Sequence, residues 1–129
     1  MPDTIADIKV IDASALAALV FDEPEGDLVA ERIRDCELVA PTLLSFEMAN
    51  ICWVKARRNP EEREALLAAF RTPGLVVETL DVDHQAVVEL ALRTGLTAYD
   101  ANYLWLARDL SIELVTLDRQ LAALVEAAP

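Results

Sequence analysis

Cysteine and histidine are scarce in this sequence, and their scarcity excludes two classes of site. The chain has two cysteines, Cys36 and Cys52, and a single histidine in 129 residues. It therefore has neither the ligand spacing of a structural zinc site nor the dense cysteine pattern of a disulfide-stabilised secreted domain. We expect both cysteines to be buried free thiols in a reducing compartment.

Long hydrophobic runs and glycine are also scarce. The apolar stretch at residues 8–21 is interrupted by Lys9 and Asp12, and it is shorter than the ~20 apolar residues of a transmembrane helix. No basic leader with a small-residue cleavage site precedes it, so we expect no membrane association and a cytoplasmic location. There are three glycines and neither a repeat nor a Gly/Ser linker, so residues 1–129 are predicted to form a single domain.

Positive charge is the third deficiency. Eleven Lys and Arg residues stand against 23 Asp and Glu residues, which gives a formal net charge of −12. This balance argues against a protein that grips nucleic acid by bulk electrostatics. It is compatible with an enzyme that binds a polyanion at one small site through a bound cation. The negative net charge also favours a basic protein partner.

Short apolar runs alternate with helical patterns along the whole chain. Strands are predicted at residues 8–11, 37–40, 75–80 and 112–116. Two helices are predicted after each of the first three strands and one after the last. Thr42, Asp83 and Thr97 are predicted to be the N-caps of three of these helices, and Gly95 is predicted to end one helix as a left-handed C-cap. This order indicates an α/β sandwich with a short, mostly parallel central sheet flanked by helices.

Three aspartates occupy positions that permit two interpretations. Asp12 directly follows the first predicted strand and Asp118 follows the last, at the sheet edge where α/β proteins bind ligands. Each could equally cap the helix that begins one residue later. Asp100 lies three residues after Thr97, which is the spacing of a capping box with Asp in place of the usual Glu. Taken one at a time, these residues favour capping.

Glu47 is harder to explain structurally. It lies within residues 43–54, a predicted helix that is apolar on nearly every side and is therefore expected to be buried. The neighbouring turns of this helix offer no cation to pair with it. Because an unpaired buried carboxylate is costly, a functional role is the better interpretation.

If all four carboxylates meet at one edge of the sheet, they repel one another. Two unit charges ~4 Å apart cost ~4 kcal/mol at an effective dielectric constant of ~20. A divalent cation removes this cost, and an all-oxygen ligand set suits Mg²⁺ or Mn²⁺ rather than zinc. Carboxylate-bound Mg²⁺ is a common catalyst of phosphate-ester chemistry.

Four segments in order resemble the PIN-domain ribonucleases, and in particular the VapC-type toxins of bacterial toxin–antitoxin pairs. They are VIDASAL at residues 10–16, PTLLSFEMAN at 41–50, LTAYDANYL at 96–104 and LVTLDR at 114–119. Each segment is weakly specific alone, but the four occur in the order and spacing of the family, and the resemblance extends from residue 8 to about residue 126. The four acidic positions of the family fall on Asp12, Glu47, Asp100 and Asp118.

The resemblance implies a three-layer PIN-like sandwich and a Mg²⁺- or Mn²⁺-dependent endoribonuclease. It implies that Asp12, Asp100 and Asp118 hold the metal and that Glu47 orients or deprotonates the attacking water. Ser14 and Thr116 match the hydroxyl positions that accompany the first and last aspartates, where they would orient carboxylates. The implied partners are an RNA substrate, a cognate antitoxin and a second copy of the chain in a homodimer.

Some alternatives stay open at this point. Five of the eleven basic residues lie between residues 53 and 72, either as a rim that guides RNA or as a solvated helix corner. The chain could be a non-catalytic acidic interaction module in which the acids are helix caps. A phosphoacceptor receiver domain also gathers acids around Mg²⁺, but it would need paired acids after the first strand and a late lysine, and residues 111–129 contain no lysine.

Overall fold

The computed structural model describes residues 6–127 and contains one parallel sheet. Its strands are β1 (Ile8–Ile11), β2 (Glu37–Pro41), β3 (Val77–Leu80) and β4 (Leu114–Val115). The spatial order is β3-β2-β1-β4, and all three neighbouring pairs are parallel. Strand β1 therefore lies in the middle, pairing Val10 with Val39 on one side and with Leu114 on the other. The predicted α/β fold with a parallel sheet is confirmed.

Helices connect these strands in the predicted order, two after each of the first three strands and one at the end. They are α1 (Ala13–Val20), α2 (Gly26–Arg32), α3 (Leu43–Arg58), α4 (Arg63–Arg71), α5 (His84–Thr94), α6 (Ala98–Leu110) and α7 (Arg119–Glu126). A 3-10 turn at Pro60–Glu62 precedes α4. Helices α1 to α4 pack in one group that touches β2 through α3, and α5 to α7 pack in another that touches the sheet through α6. Within residues 6–127, no helix is long and apolar enough to cross a membrane.

The core lies where the central strands meet α1 and α6. Val10 and Ile11 of β1 and Val115 of β4 are fully buried, together with Leu104 of α6. These strands carry β-branched residues on both faces, as expected for parallel strands covered on both sides. Strand β3 is at the edge of the sheet, and none of its residues is fully buried. This buried core fixes the carboxyl ends of β1 and β4, which are followed by the polar residues Asp12 and Thr116.

Helix capping follows the sequence at most positions. The side chains of Asp12, Asp83 and Asp118 accept from backbone N–H groups in the first turns of α1, α5 and α7, and Thr97 does the same for α6. Gly95 ends α5 with φ +80°, in the left-handed region. The predicted cap at Thr42 is wrong, because that residue has helical backbone angles and its side chain makes no capping bond.

Three further expectations need correction. Helix α3 is not buried on all sides: only one stripe is buried, at Leu44, Met48, Cys52 and Ala56, because just one side of it faces the molecule. Cys36 is only half-buried, whereas Cys52 is buried as predicted. Helix α2 and strands β3 and β4 are shorter than predicted: α2 ends at Arg32, β3 begins at Val77 and β4 is Leu114–Val115.

The contact between α1 and α2 generates a stability prediction. Gly26 is buried at the start of α2, and a Cβ atom there would lie 2.7 Å from the backbone oxygen of Ala18. Helix propensity alone would make Gly26→Ala stabilising by up to ~1 kcal/mol. Because the obstructing atom belongs to the backbone, we expect the opposite, a loss of roughly 1–3 kcal/mol. Urea denaturation checks the sign, and a variant at least as stable as the parent would contradict this packing.

Candidate active site

The carboxyl ends of β1 and β4 form the crevice in which the site lies. The chain leaves β1 toward β2 on one side and returns at β4 on the other, so strand order reverses between β1 and β4. Such a reversal opens a crevice in parallel sheets, and ligands bind there. Asp12 follows β1 directly, and its backbone N–H donates to the Val115 oxygen at 3.1 Å. Asp118 follows β4 after two intervening residues.

Asp12 is the most deeply buried acid of this crevice, with 4% of its surface exposed. Its Oδ1 accepts hydrogen bonds from the Ser14 hydroxyl at 2.7 Å and the Ala15 N–H at 3.0 Å. Its Oδ2 accepts from the Thr116 hydroxyl at 2.5 Å. Burial raises the pKa of Asp12, although these three bonds oppose the shift. The carboxylate is thus held in one orientation, with lone-pair capacity left on Oδ2.

Ser14 and Thr116 form the framework that holds Asp12. The Ser14 Oγ also accepts from the Leu117 N–H at 3.0 Å, and the Thr116 Oγ1 accepts from the Asp118 N–H at 3.0 Å. The two hydroxyls thereby connect the start of α1 with the segment after β4. Both were expected to accompany the first and last aspartates; both hydroxyls donate to the Asp12 carboxylate, and Thr116 meets Asp118 at its backbone N–H rather than at its carboxylate.

Glu47 has a hydrogen-bond partner that was not predicted from the sequence. The hydroxyl of Tyr103, on α6, donates to Glu47 Oε1 at 2.5 Å. Tyr103 is 1% exposed, and burial followed by the hydrogen bond to Glu47 raises its pKa strongly, so it stays protonated as a donor. The expectation of an unpartnered Glu47 considered only its own helix, whereas Tyr103 lies on another helix. A signal was available, because Tyr103 lies three residues after Asp100 and therefore on the same face of α6.

The negative charges of the four acids act on one another. Burial raises the pKa of Glu47, and the charges of Asp100 and Asp12 raise it further, while the Tyr103 hydroxyl opposes them. Burial also raises the pKa of Asp100, with additional contributions from Asp118 and Asp12. The structure therefore brings all four sequence-predicted acids into one electrostatic neighbourhood.

Capping and site formation prove compatible for two of these residues. Asp12 and Asp118 both cap helices, the latter by accepting from the Leu121 N–H at 2.9 Å, and both lie in the crevice. Asp100 differs, because its backbone N–H, not its carboxylate, takes part in the cap with Thr97. In the part of the chain that the structure describes, no hydrogen bond to the Asp100 carboxylate is formed.

No basic side chain neutralises this cluster among residues 6–127. The ion pairs there join Lys9 and Arg32 to Glu113, Arg34 to Glu31, and Lys55 to Glu23. Across the same residues, no three acidic, histidine or cysteine side chains are already gathered closely enough to hold a metal ion. The four acids are thus neighbours that lack a counter-charge, and they are not a preformed coordination shell.

The donor set nevertheless fits a divalent cation of the magnesium type. The available ligands are carboxylate oxygens, which Mg²⁺ and Mn²⁺ prefer, and magnesium is commonly held by one or two carboxylates plus water. Asp12 is fixed, while Asp100 and Asp118 are only partly buried, so their side chains have room to turn toward it. A bound cation would also replace mutual repulsion with attraction.

Comparison with known proteins gives a consistent result. Residues 9–126 match the PIN domain family. The chain is 35% identical over 119 residues to "Ribonuclease VapC3" of Pyrobaculum aerophilum, covering 88% of this chain and 91% of the relative. It is 30% identical to "Ribonuclease VapC12" of Mycobacterium tuberculosis, covering 88% of each, and 30% identical to "Exonuclease VapC9" of P. aerophilum, covering 92% and 86%.

The fold has a solved counterpart as well. The crystal structure of PAE2754 from P. aerophilum superposes with a TM-score of 0.68 at 28% sequence identity. The match covers 97% of this chain and 91% of that one. Sequence and structure comparisons therefore agree over nearly the full length of the chain.

The raised pKa values predict how the metal-free protein responds to pH. The folded state binds protons at Asp12, Glu47 and Asp100 more tightly than the unfolded chain does. Stability should therefore rise as pH falls from neutral toward about pH 5. Glu113, whose pKa is lowered by Lys9, opposes this only at pH values near and below its ordinary 4.5.

Denaturation in EDTA across this pH range measures the effect. The slope should be smaller in Asp100→Asn, which removes one of the three groups, and unchanged in Asp109→Asn near the other end of α6. A metal-free protein that loses stability over the same range would show that folding does not raise the pKa values of these acids.

Proposed function

This chain belongs to the PIN domain family, and from that membership we propose that it is a metal-dependent endoribonuclease, the toxin of a toxin–antitoxin pair. Two of the relatives are named ribonucleases and one is named an exonuclease, and these names support a nuclease. The observation that carries the proposal is the Asp12 carboxylate, fixed by three hydrogen bonds in the crevice between β1 and β4. Three further acids lie around it without a cationic partner in residues 6–127.

The proposed division of labour follows from burial and hydrogen bonding. Asp12, Asp100 and Asp118 would hold a divalent ion such as Mg²⁺ or Mn²⁺. Such an ion, when bound, polarises the scissile phosphate and lowers the pKa of coordinated water. Ser14 and Thr116 hold the Asp12 carboxylate in one orientation. The site then needs little rearrangement when negative charge develops on the phosphate in the transition state.

Glu47 is proposed as the base that takes a proton from the attacking water. Its pKa is raised by burial, which brings it closer to the working pH and improves it as a general base. The Tyr103 hydroxyl holds one carboxylate oxygen, leaving the other for the water. Tyr103 is therefore a positioning residue: it acts through Glu47.

Cleavage of a circular single-stranded RNA tests the activity and its internal mode of attack. A circle has no end, so an endonuclease linearises it, whereas an exonuclease leaves it intact. We expect linearisation with Mg²⁺ or Mn²⁺ and none in EDTA. Cleavage that persists in EDTA, or circles that survive while linear RNA is degraded, would contradict the proposal.

Asp100→Asn should abolish the activity while preserving the fold. It removes a proposed metal ligand, and losses of roughly a hundredfold or more are typical when a catalytic group is removed. Asp109→Asn is the matched control, because it makes the same change on the same helix near its far end. The measurement is the linearisation rate, with circular dichroism as the check on folding. Equal rates for Asp100→Asn and the parent would remove Asp100 from the site.

The proposed antitoxin would approach over an acidic rim. Asp22, Glu25 and Asp27 are exposed around the connection between α1 and α2. Glu23, also of this cluster, is already paired with Lys55. An apolar groove of about 400 Å³ lies close by, and its lining includes Leu16, Val20, Leu44, Met48 and Phe70. This surface suits an amphipathic helix of the partner, followed by a basic residue that enters the acid cluster.

Charge steering predicts a salt-dependent association rate between this chain and its antitoxin, and the product of any small reading frame directly upstream of its gene is the protein to test. The rate should fall as salt rises, with a smaller change in dissociation. Neutralising Asp22, Glu25 and Asp27 together should slow association. Neutralising Glu61, Glu62 and Glu64, which removes the same charge elsewhere, should slow it less. A complex that leaves RNA cleavage untouched would refute the assignment of the partner as an antitoxin.

A further inference from the structure

One face of α3 combines exposed aromatic rings with unpaired positive charge. Phe46, Asn50, Trp53 and Arg57 recur every three or four residues and therefore form a stripe, which we call the α3 stripe. Phe46 is 74% exposed and Trp53 is 54% exposed, although large apolar side chains are normally covered. The stripe begins beside Glu47 and runs away from it toward the end of the helix.

The first part of the stripe lines a hollow that includes the candidate base. This hollow has a volume of about 410 Å³ and is lined by Leu43, Phe46, Glu47, Asn50, Ile51 and Tyr99. Tyr99, on α6, is 65% exposed and directly precedes Asp100. Two accessible aromatic rings and one amide therefore surround a space that opens onto the acid cluster.

The second part of the stripe lines a hollow between α3 and α4. This space of about 370 Å³ is bordered by Trp53, Arg57, Arg63 and Phe70. The Arg57 guanidinium lies 4.4 Å from the centre of the Trp53 ring, in a cation–π contact. Among residues 6–127, Arg57, Arg58 and Arg63 form no ion pair with any acidic side chain. Residues 53–72 hold five basic and three acidic residues, which is a positive balance within a chain of net charge −12.

We propose that the α3 stripe binds the single-stranded RNA that leads into the active site. One unpaired base stacks between Phe46 and Tyr99, with Asn50 available to its edge, and a base further along stacks on Trp53 beside Arg57. Phe46 and Trp53 are seven residues apart, which is about 10 Å along a helix, a separation that an extended strand of a few nucleotides can span. The inference rests on the proposed nuclease function and specifies its substrate as unpaired RNA.

Charge and shape favour RNA over other occupants of the stripe. Aromatic hollows accept the faces of unpaired bases, and neighbouring arginines accept the phosphates between them. Duplex RNA offers no free base faces to such hollows. A symmetric contact with a second copy, centred on Trp53, would bring the arginines of both copies together. The arrangement therefore matches an anionic strand with exposed bases.

Binding is measured with a short single-stranded RNA in EDTA, where the metal-dependent cleavage cannot proceed. Trp53→Ala and Phe46→Ala should each weaken binding roughly tenfold, and Arg57→Gln should lower the salt dependence of the affinity. Trp53→Phe keeps an aromatic face, so it should retain most of the affinity. RNA should quench the fluorescence of Trp53 in the parent, and this quenching should vanish in Trp53→Phe while Trp105 still emits. Leu92→Ala and Arg93→Gln, exposed positions on α5, are the matched controls and should change nothing.

The same variants are weighed by analytical ultracentrifugation, and their folding is checked by circular dichroism. Weaker RNA binding at unchanged mass supports the proposal. Affinities equal to those of the parent, equally tight binding of duplex RNA, or weakening that accompanies dissociation of a dimer would overturn it. The two proposals fail separately. Trp53-dependent binding without cleavage of circular RNA contradicts only the nuclease, and cleavage with unaffected binding contradicts only the α3 stripe.

Discussion

A carboxylate buried at the centre of the molecule is the constraint on which the rest of this structure depends. Removing the charge of Asp12 from water is costly unless hydrogen bonds replace the lost solvation. Ser14, Ala15 and Thr116 supply those bonds, and in doing so they fix the start of α1 to the segment after β4. The strand order β3-β2-β1-β4 is what places the two segments side by side. Fold and site are therefore parts of one arrangement.

The charges of the other three acids act against this arrangement, although Asp118 also stabilises it by capping α7. Each acid raises the pKa of one or more of its neighbours, and no basic residue within 6–127 compensates. Such repulsion between neighbouring charges is common at functional sites, and the stability of the rest of the fold has to offset it. Here the support comes from the hydrogen-bonded hydroxyls of Ser14, Thr116 and Tyr103. A bound cation would attract all four carboxylates and so offset their mutual repulsion, and a basic side chain from a protein partner would do the same.

The element order, which the structure confirms, and the choice of the four acids, which stays a prediction, both follow from local rules. Strand ends locate Asp12 and Asp118, and apolar periodicity locates the helices that carry Glu47 and Asp100. Contacts between distant helices follow no such rule. The bond from Tyr103 to Glu47 joins residues 56 apart, so it depends on how α3 and α6 pack. The expectation that α3 is buried on nearly every side is wrong for the same reason. Composition shows that a helix is apolar, but the packing of distant helices decides which of its sides stays exposed.

The bond between Thr116 and Asp12 spans 104 residues, and this separation has a consequence for synthesis of the protein. Strand β1 emerges from the ribosome early, but its neighbour β4 follows only when almost the entire chain has been made. Until then Asp12 lacks the Thr116 hydroxyl, and Asp118 has not reached the crevice. Any chemistry that depends on this crevice therefore has to wait for β4, even if the strands and helices made earlier have already folded.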